Sequence, residues 1–180
     1  MPDQARVRVA TAADTDGIRE IYAQAFPSGE AETVANLALE LLVHKSNPDT
    51  FALVSEADDR LIGHVAFSPV TIDASGHRQA YILAPLAVRP VYQCDGVGST
   101  LVRTGLARLA DQGVDVVFVY GDPAYYGRFG FDAAAASTYT APYELQFPFG
   151  WQAITLSETP ATETPFTITC VEPLSDPALW

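Results

Sequence analysis

The sequence predicts an α/β fold in which helices cover both faces of one mixed sheet, and three observations point to it. Tyr81–Val88, Val97–Ala110 and Val114–Tyr120 read as strand, helix and strand, the signature of two parallel strands joined by a helical crossover. Thr50–Glu56 and Leu61–Val70 read as a hairpin turning at Ala57-Asp58-Asp59, which adds antiparallel pairing. Ahead of them, apolar residues recur at helical spacing in two successive stretches.

The elements follow in order. Arg6 to Ala10 alternates like a short first strand, and Thr11 can cap the next helix, with Asp14 three residues on as a variant capping box. Ile18, Ile21, Tyr22, Ala25 and Phe26 mark the buried face of that helix. After the break at Pro27-Ser28-Gly29, Val34, Leu37, Ala38, Leu41 and Leu42 repeat the spacing in a second helix, which Ser46-Asn47-Pro48 ends. Beyond the hairpin, Ile72 to Gln79 forms a polar turn into the strand Tyr81–Val88. Pro85 stands in the middle of that strand and brings no N–H to a ladder, so it belongs at a bulge or an unpaired edge. A bulged strand can part from its parallel neighbour and leave a wedge for a long, thin ligand. The partner Val114–Tyr120 is nearly all apolar, as a strand covered on both faces should be. Past Phe131 the pattern loosens. Trp151–Leu156 and Phe166–Val171 read as closing strands joined by a Thr/Pro/Glu-rich loop. The expected organisation is one domain over residues 1–180, with a core from about 5 to 156 and a C-terminal extension over 157–180.

A chain of 180 residues can bury a full core. It has no apolar run of the ~18 residues a membrane span needs, and its first residues lack a basic start followed by an apolar stretch, so a cytoplasmic location is expected. Cys94 and Cys170 are too few to frame a disulfide scaffold. The histidines His44, His64 and His77 show no metal-ligand spacing, so no metal is expected. The net charge of −12 sets 22 acids against 10 bases. Such a surface repels nucleic acid and would steer a cationic substrate inward, although solubility or a high-salt or GC-rich source is the preferred account of it.

The chemistry concentrates at Gln93-Cys94-Asp95-Gly96-Val97-Gly98, between the bulged strand and the crossover helix. Two glycines there let the backbone approach an anion, and the helix start adds roughly half a positive charge. A Walker loop would need Gly-Lys, and Lys45 lies far from any glycine pair. A dinucleotide fold would need a third glycine where Leu101 stands, although Asp122 falls near the place of a ribose-binding acid, which leaves a nucleotide-binding oxidoreductase domain open. A glycine-rich helix start with no ligand also stays open.

The segment from Leu86 to Leu101, Leu-Ala-Val-Arg-Pro-Val-Tyr-Gln-Cys-Asp-Gly-Val-Gly-Ser-Thr-Leu, resembles the acetyl-CoA loop of the GCN5-related N-acetyltransferases (GNAT family). Gly121-Asp-Pro-Ala-Tyr-Tyr-Gly-Arg-Phe-Gly-Phe131 is similar to that family's closing segment, a tyrosine ahead of an Arg-Phe-Gly-Phe turn. The resemblance covers residues 5–156, with a helix and a strand between the motifs. It implies the family's central mixed sheet with splayed parallel strands. It also implies transfer of an acetyl group from acetyl-CoA, without a metal, to a primary amine that attacks directly in a ternary complex.

By the resemblance, Leu86, Ala87 and Val88 would offer backbone groups to the pantetheine and thioester, and Gln93, Cys94, Asp95, Gly96, Val97, Gly98 and Ser99 would cradle the diphosphate. Tyr126 would touch the cofactor and protonate the departing thiolate, a phenol of pKa ~10 facing a thiol of ~8–9; otherwise it packs as an ordinary helix residue. Many family members place a glutamate on the bulged strand, and Tyr81–Val88 contains no acid. His64, on the neighbouring strand, is the candidate base and otherwise a hydrogen-bonded packing residue. Glu30, between the first two helices, is the candidate for binding the acceptor. The expected acceptor is a small-molecule or peptide amine, and pairing of two copies through the C-terminal strands is plausible. A non-catalytic acyl-CoA-binding sensor is the alternative from another functional class.

Overall fold

A computed structural model describes residues 5–73, 78–158 and 165–180. In chain order the elements are β1 (Arg6–Val9), α1 (Thr15–Ala25), α2 (Ser28–Val43), β2 (Phe51–Ala57), β3 (Arg60–Ile72), β4 (Ala80–Val88) and α3 (Val97–Asp111). They continue as β5 (Val116–Tyr120), α4 (Pro123–Tyr126), α5 (Ala133–Ala136), β6 (Tyr139–Thr140), β7 (Trp151–Thr155) and β8 (Phe166–Cys170). The residues cluster into two compact units. One holds the chain up to Phe67 together with Ala84–Gly105, and the other holds Ser68–Leu83 with Leu106–Trp180.

In the first unit the strand order is β1-β2-β3-β4. The β2–β3 hairpin closes at Ala57↔Arg60, leaving Asp58 and Asp59 as its two turn residues. Their φ values of +49° and +56° give the turn whose backbone twist matches that of the flanking strands. β1 pairs antiparallel with β2 from Arg6↔Glu56 to Val9↔Leu53. The expected capping interaction is present: Asp14 Oδ2 accepts from the Thr11 N–H at 2.7 Å. The same carboxylate takes two 2.8 Å bonds from Arg8, which also reaches Glu56 at 2.8 Å, so one buried acid ties the entrance of α1 to β1. α1 buries Ile18, Ile21 and Tyr22 in a cluster with Ala35 and Ala38 of α2, Val54 of β2 and Ala87 of β4.

β3 is covered on both faces. His64 points at Tyr22 of α1, whereas Gly63 and Phe67, on the opposite face, meet α3. α3 lies very close. A Cβ at Gly63 would stand 2.9 Å from side-chain carbons of Leu101 and Val97, and one at Gly105 would stand 2.2 Å from the Phe67 ring. Two missing side chains therefore set where α3, and with it the loop ahead of it, rests on the strand.

In the second unit β4 and β5 are parallel, and their ladder runs from Ala80↔Val116 to Leu83↔Val119. It ends two residues before Pro85, whose nitrogen can donate to no ladder. β7 continues the sheet antiparallel to β5, from Val116↔Thr155 to Tyr120↔Trp151. β8 pairs antiparallel with the end of β3, from Val70↔Cys170 to Ile72↔Ile168, and parallel with the two-residue β6. Neither β6 nor these pairings was anticipated. Phe118 anchors the unit, stacked on Trp151 at 5.2 Å and meeting Tyr139 edge-on at 4.9 Å. Of the expected turn Ile72–Gln79, residues 74–77, His77 included, lie outside the described residues, as does 159–164 of the Thr/Pro/Glu-rich loop. The fold is α/β, with parallel and antiparallel strands in one mixed sheet architecture, as predicted.

Candidate active site

β4 continues past the ladder as Ala84–Val88, with Ala87 buried and Leu86 and Val88 half-buried. Arg89 then fastens the chain. Its N–H donates to Ile62 O at 2.9 Å, its Nε to Leu61 O at 2.6 Å and its Nη2 to Glu20 at 2.8 Å. At 4% exposure this guanidinium is committed to β3 and α1, so it braces the loop and is not directed at a ligand. Gln93 braces it a second time, its side-chain amide donating to Val88 O at 3.0 Å.

Cys94 and Gly96 adopt φ of +66° and +83°, and this reverses the chain into α3. Gly96 O accepts the N–H of Thr100 at 2.9 Å and its hydroxyl at 3.0 Å, so the helix begins at Val97. The first N–H groups of any helix have no carbonyl within it to accept them. Here they follow an exposed turn, Gln93–Gly96, with the Asp95 side chain in solvent, Val97 and Gly98 buried and Ser99 half-buried. Backbone donors at the positive end of a 15-residue helix are suited to hold a diphosphate. The left-handed φ at Gly96 is one that other residues adopt only at a cost.

Tyr126 ends the four-residue α4, whose entrance Asp122 caps by accepting from the Ala124 N–H at 2.9 Å. Its half-buried ring lies on Gly121: a Cβ there would be 2.5 Å from Cε2. Phe131 meets the ring edge-on at 5.8 Å and Tyr125 at 5.0 Å. Tyr125 turns instead to Arg128, whose guanidinium lies 4.4 Å from its ring centroid. Gly130, with φ of +96°, makes the turn in the Arg-Phe-Gly-Phe segment. Burial pushes the Tyr126 phenol above its ordinary pKa, and Tyr125 adds to the shift.

His64 does not suit the base role expected of it. It is fully buried, with Nδ1 2.8 Å from Tyr22 Oη and the two rings edge to face at 5.6 Å. Burial lowers its pKa from 6.5 to about 3, against an opposing pull from Asp14, so its site resists the imidazolium that a base must become. Its Nε2 has no hydrogen-bond partner. Glu30 is exposed in the first turn of α2, its N–H bonded to Pro27 O at 2.9 Å. Two positioning groups went unrecognised in the sequence. In the sequence Arg89 is only one residue of the Leu86–Leu101 segment, and its partners lie far off in the chain. Gly121 opens the tyrosine segment, where the only signal is a glycine directly after a strand. A cavity of about 370 Å³ opens beside the Arg89 brace, bordered by Arg8, Asp14, Glu20, Glu56 and Arg60.

Residues 6–134 match the family described as the acetyltransferase (GNAT) domain. The chain is 36% identical over 165 residues to the uncharacterised N-acetyltransferase YjhQ of Escherichia coli K12, which spans 89% of this chain and 88% of the relative. It is 39% identical over 134 residues to the uncharacterised N-acetyltransferase YhbS of that strain, across 72% of this chain and 74% of the relative. Among solved structures, Escherichia coli YhbS in complex with CoA has a TM-score of 0.80 at 29% identity, over 94% of this chain and 91% of that one. A GNAT acetyltransferase from Brucella melitensis in complex with acetyl-CoA has a TM-score of 0.64 at 28% identity, over 90% and 93%. No helix among the described residues is long and apolar enough to cross a membrane. With its mixed sheet, its ladder ending before a mid-strand proline and its glycine turn opening α3, the chain belongs to the GNAT family of acetyltransferases and is an acyltransferase.

Proposed function

We propose that this chain transfers the acetyl group of acetyl-CoA to a primary amine by direct attack in a ternary complex. The observation that carries the reading is the turn at Gln93–Gly96: a doubly braced backbone loop aimed into a long helix, with no basic side chain needed to receive a diphosphate. The CoA and acetyl-CoA held by two solved relatives support that donor. Acetyl-CoA, when bound, supplies an activated acyl carbonyl. The N–H groups from Cys94 to Ser99 would hold its diphosphate, and backbone N–H groups at Leu86 and Val88 would serve the pantetheine amides and the thioester oxygen.

Tyr126 would hold a proton for the sulfur as its charge builds. The raised pKa keeps the phenol protonated through the neutral range and makes complete transfer to a thiolate uphill, which favours hydrogen-bond donation in the transition state. The acceptor's ammonium would first give up a proton to water. Its neutral nitrogen then gains the acyl carbon as the C–S bond breaks. The further proton that nitrogen sheds passes through water to the sulfur, which leaves as a thiol while Tyr126 keeps its own proton. His64 is given no part in that release, since it is sealed from solvent. Glu30, exposed at the start of α2, would attract the acceptor's ammonium.

Following CoA release with acetyl-CoA and a panel of amines tests the reading. Tyr126→Phe should lower kcat and leave acetyl-CoA affinity nearly intact; an unaltered rate would remove Tyr126 from the mechanism. One observation favours a second reading: β4 brings no acid and the neighbouring histidine is enclosed, as a non-catalytic acyl-CoA sensor could tolerate. Tight acetyl-CoA binding with no turnover of any amine would establish the sensor.

A further inference from the structure

The cavity of about 370 Å³ beside the Arg89 brace lies wholly within the first unit, and the transfer chemistry makes no use of it. Its apolar part is closely packed: a Cβ at Gly17 of α1 would stand 2.8 Å from Leu61 Cδ1. The charged residues around it fall into two groups. One is closed. Arg8 gives Asp14 two bonds and Glu56 one, each of 2.8 Å, so its three nitrogens are spent. The other is open. Arg89 commits Nε to Leu61 O and Nη2 to Glu20, but its Nη1 makes no hydrogen bond among the described residues. Asp59 and Arg60, at the hairpin turn, border the same cavity and make no side-chain hydrogen bond or ion pair among those residues. The φ of +56° at Asp59 belongs to the tight turn, so its carboxylate is carried on a fixed backbone.

The Arg89–Glu20 pair is unequal. The guanidinium is 4% exposed and needs an anion beside it, because a buried charge without a partner is costly. The carboxylate is 60% exposed and gains little from the bond, because water serves it nearly as well. Arg89 chiefly, and Arg60 more weakly, hold Glu20 below the ordinary carboxylate range, so both cations act at one position. An anion from outside can take that position while Glu20 turns to solvent.

We infer that this cavity is a second ligand site, for a free α-amino acid whose carboxylate replaces Glu20 on Arg89 and Arg60 and whose ammonium meets Asp59. A planar carboxylate matches the Nη1–Nη2 edge of a guanidinium with two parallel bonds. A bare anion would gain the guanidiniums and face Asp59 and Glu56 unpaired. A bare cation would gain the acids and could not displace Glu20. A molecule carrying both charges satisfies both sides, and the volume is that of the smaller ligand pockets of proteins. The inference stands apart from the acetyltransferase reading, because it concerns binding and not turnover.

All the recognised groups sit on the α-carbon, so L-alanine is the probe, and calorimetry on the full chain is the test. Propionate and ethylamine each lack one of alanine's charges and should bind about tenfold more weakly or worse, the scale of a lost charge-assisted hydrogen bond. Arg60→Gln and Asp59→Asn change exposed residues, and asparagine tolerates the positive φ. Each should weaken alanine about tenfold at an unchanged melting temperature. Glu20→Gln should tighten alanine severalfold, because a neutral amide is a weaker rival for Arg89; a residue that only held the fold together would not act in that direction. No binding of alanine by the wild type overturns the inference. So does binding indifferent to Arg60→Gln and Asp59→Asn, which would place the amino acid elsewhere, or weaker binding in Glu20→Gln. CoA release from acetyl-CoA with an amine panel is read separately, so the acetyltransferase reading can survive any of these results.

Discussion

Replacing His64 with glutamine should flatten the acid side of the stability curve between about pH 7 and pH 5. The imidazole is fully buried, and burial takes its pKa from 6.5 to about 3. Between those values the unfolded chain binds a proton that the folded chain refuses. Stability from this group is therefore whole above the unfolded pKa and is lost as pH falls toward the folded one. One pKa unit corresponds to about 1.4 kcal/mol, so the drop from pH 6.5 to 5 removes about 2 kcal/mol. Asp14, lowered chiefly by its bonds from Arg8, contributes loss only where carboxylates titrate, nearer its ordinary 3.8, so the window above pH 5 isolates the histidine. Urea unfolding of both proteins at the two pH values measures the effect, and all other titrations cancel in the difference. Equal losses in wild type and variant would mean that His64 protonates as easily folded as unfolded, and the burial argument would be wrong. The same variant bears on mechanism. An acid limb near pH 6.5 in kcat/KM that disappeared in the variant would restore His64 as a base.

The contact of α3 with β3 gives a stability prediction: Gly105→Ala should cost about 1–3 kcal/mol in thermal unfolding, because the Phe67 ring it strikes is itself stacked on Phe51. Arg89→Met should weaken acetyl-CoA binding severalfold in calorimetry, by releasing the loop's brace and leaving Leu61 O without its donor. Glu20→Gln should leave both affinity and melting temperature near wild type, since that carboxylate is 60% exposed.

What could be read from the chain was local chemistry. Pro85 lacks an N–H wherever it is placed, so the interruption of the β4–β5 ladder follows from one residue type. The hairpin needs a two-residue reversal, and Asp58-Asp59 lies between two apolar runs of alternating or continuous pattern. The helix faces at Ile18–Phe26 and Val34–Leu42 declare themselves by spacing. What escaped was set by distant partners. His64 lies in a strand buried on both faces, so alternation gave no sign that it would be enclosed against Tyr22, 42 positions earlier. Arg89 reads as a cation beside a phosphate loop, and only Glu20 and the Leu61 carbonyl show that it is already engaged. A glycine inside a helix or strand ordinarily counts against the element; Gly63 and Gly105 are tolerated because a neighbour fills the space a side chain would take. β6 is two residues long, too short for any pattern to register.

Gly121 offers the sharpest separation of position from chemistry in the tyrosine segment. An added methyl would stand 2.5 Å from Tyr126 Cε2 and 3.1 Å from Cδ2, well inside contact distance. The backbone has little freedom to yield, since Gly121 N–H is bound to Gly150 O and its carbonyl accepts from Gln152 Nε2 at 3.1 Å. The ring must move instead, and Phe131 and Tyr125 limit where it can go. Gly121→Ala should therefore lower kcat toward the level of Tyr126→Phe while the hydroxyl is still present, with acetyl-CoA affinity maintained. If both substitutions act on one proton position, the double variant should be no slower than the worse single one, because residues acting as a unit are not additive. Multiplying losses would mean that Gly121 serves turnover by another route, such as holding the Phe147–Gly150 turn. A wild-type rate in Gly121→Ala would mean that the ring's placement on this glycine has no bearing on catalysis.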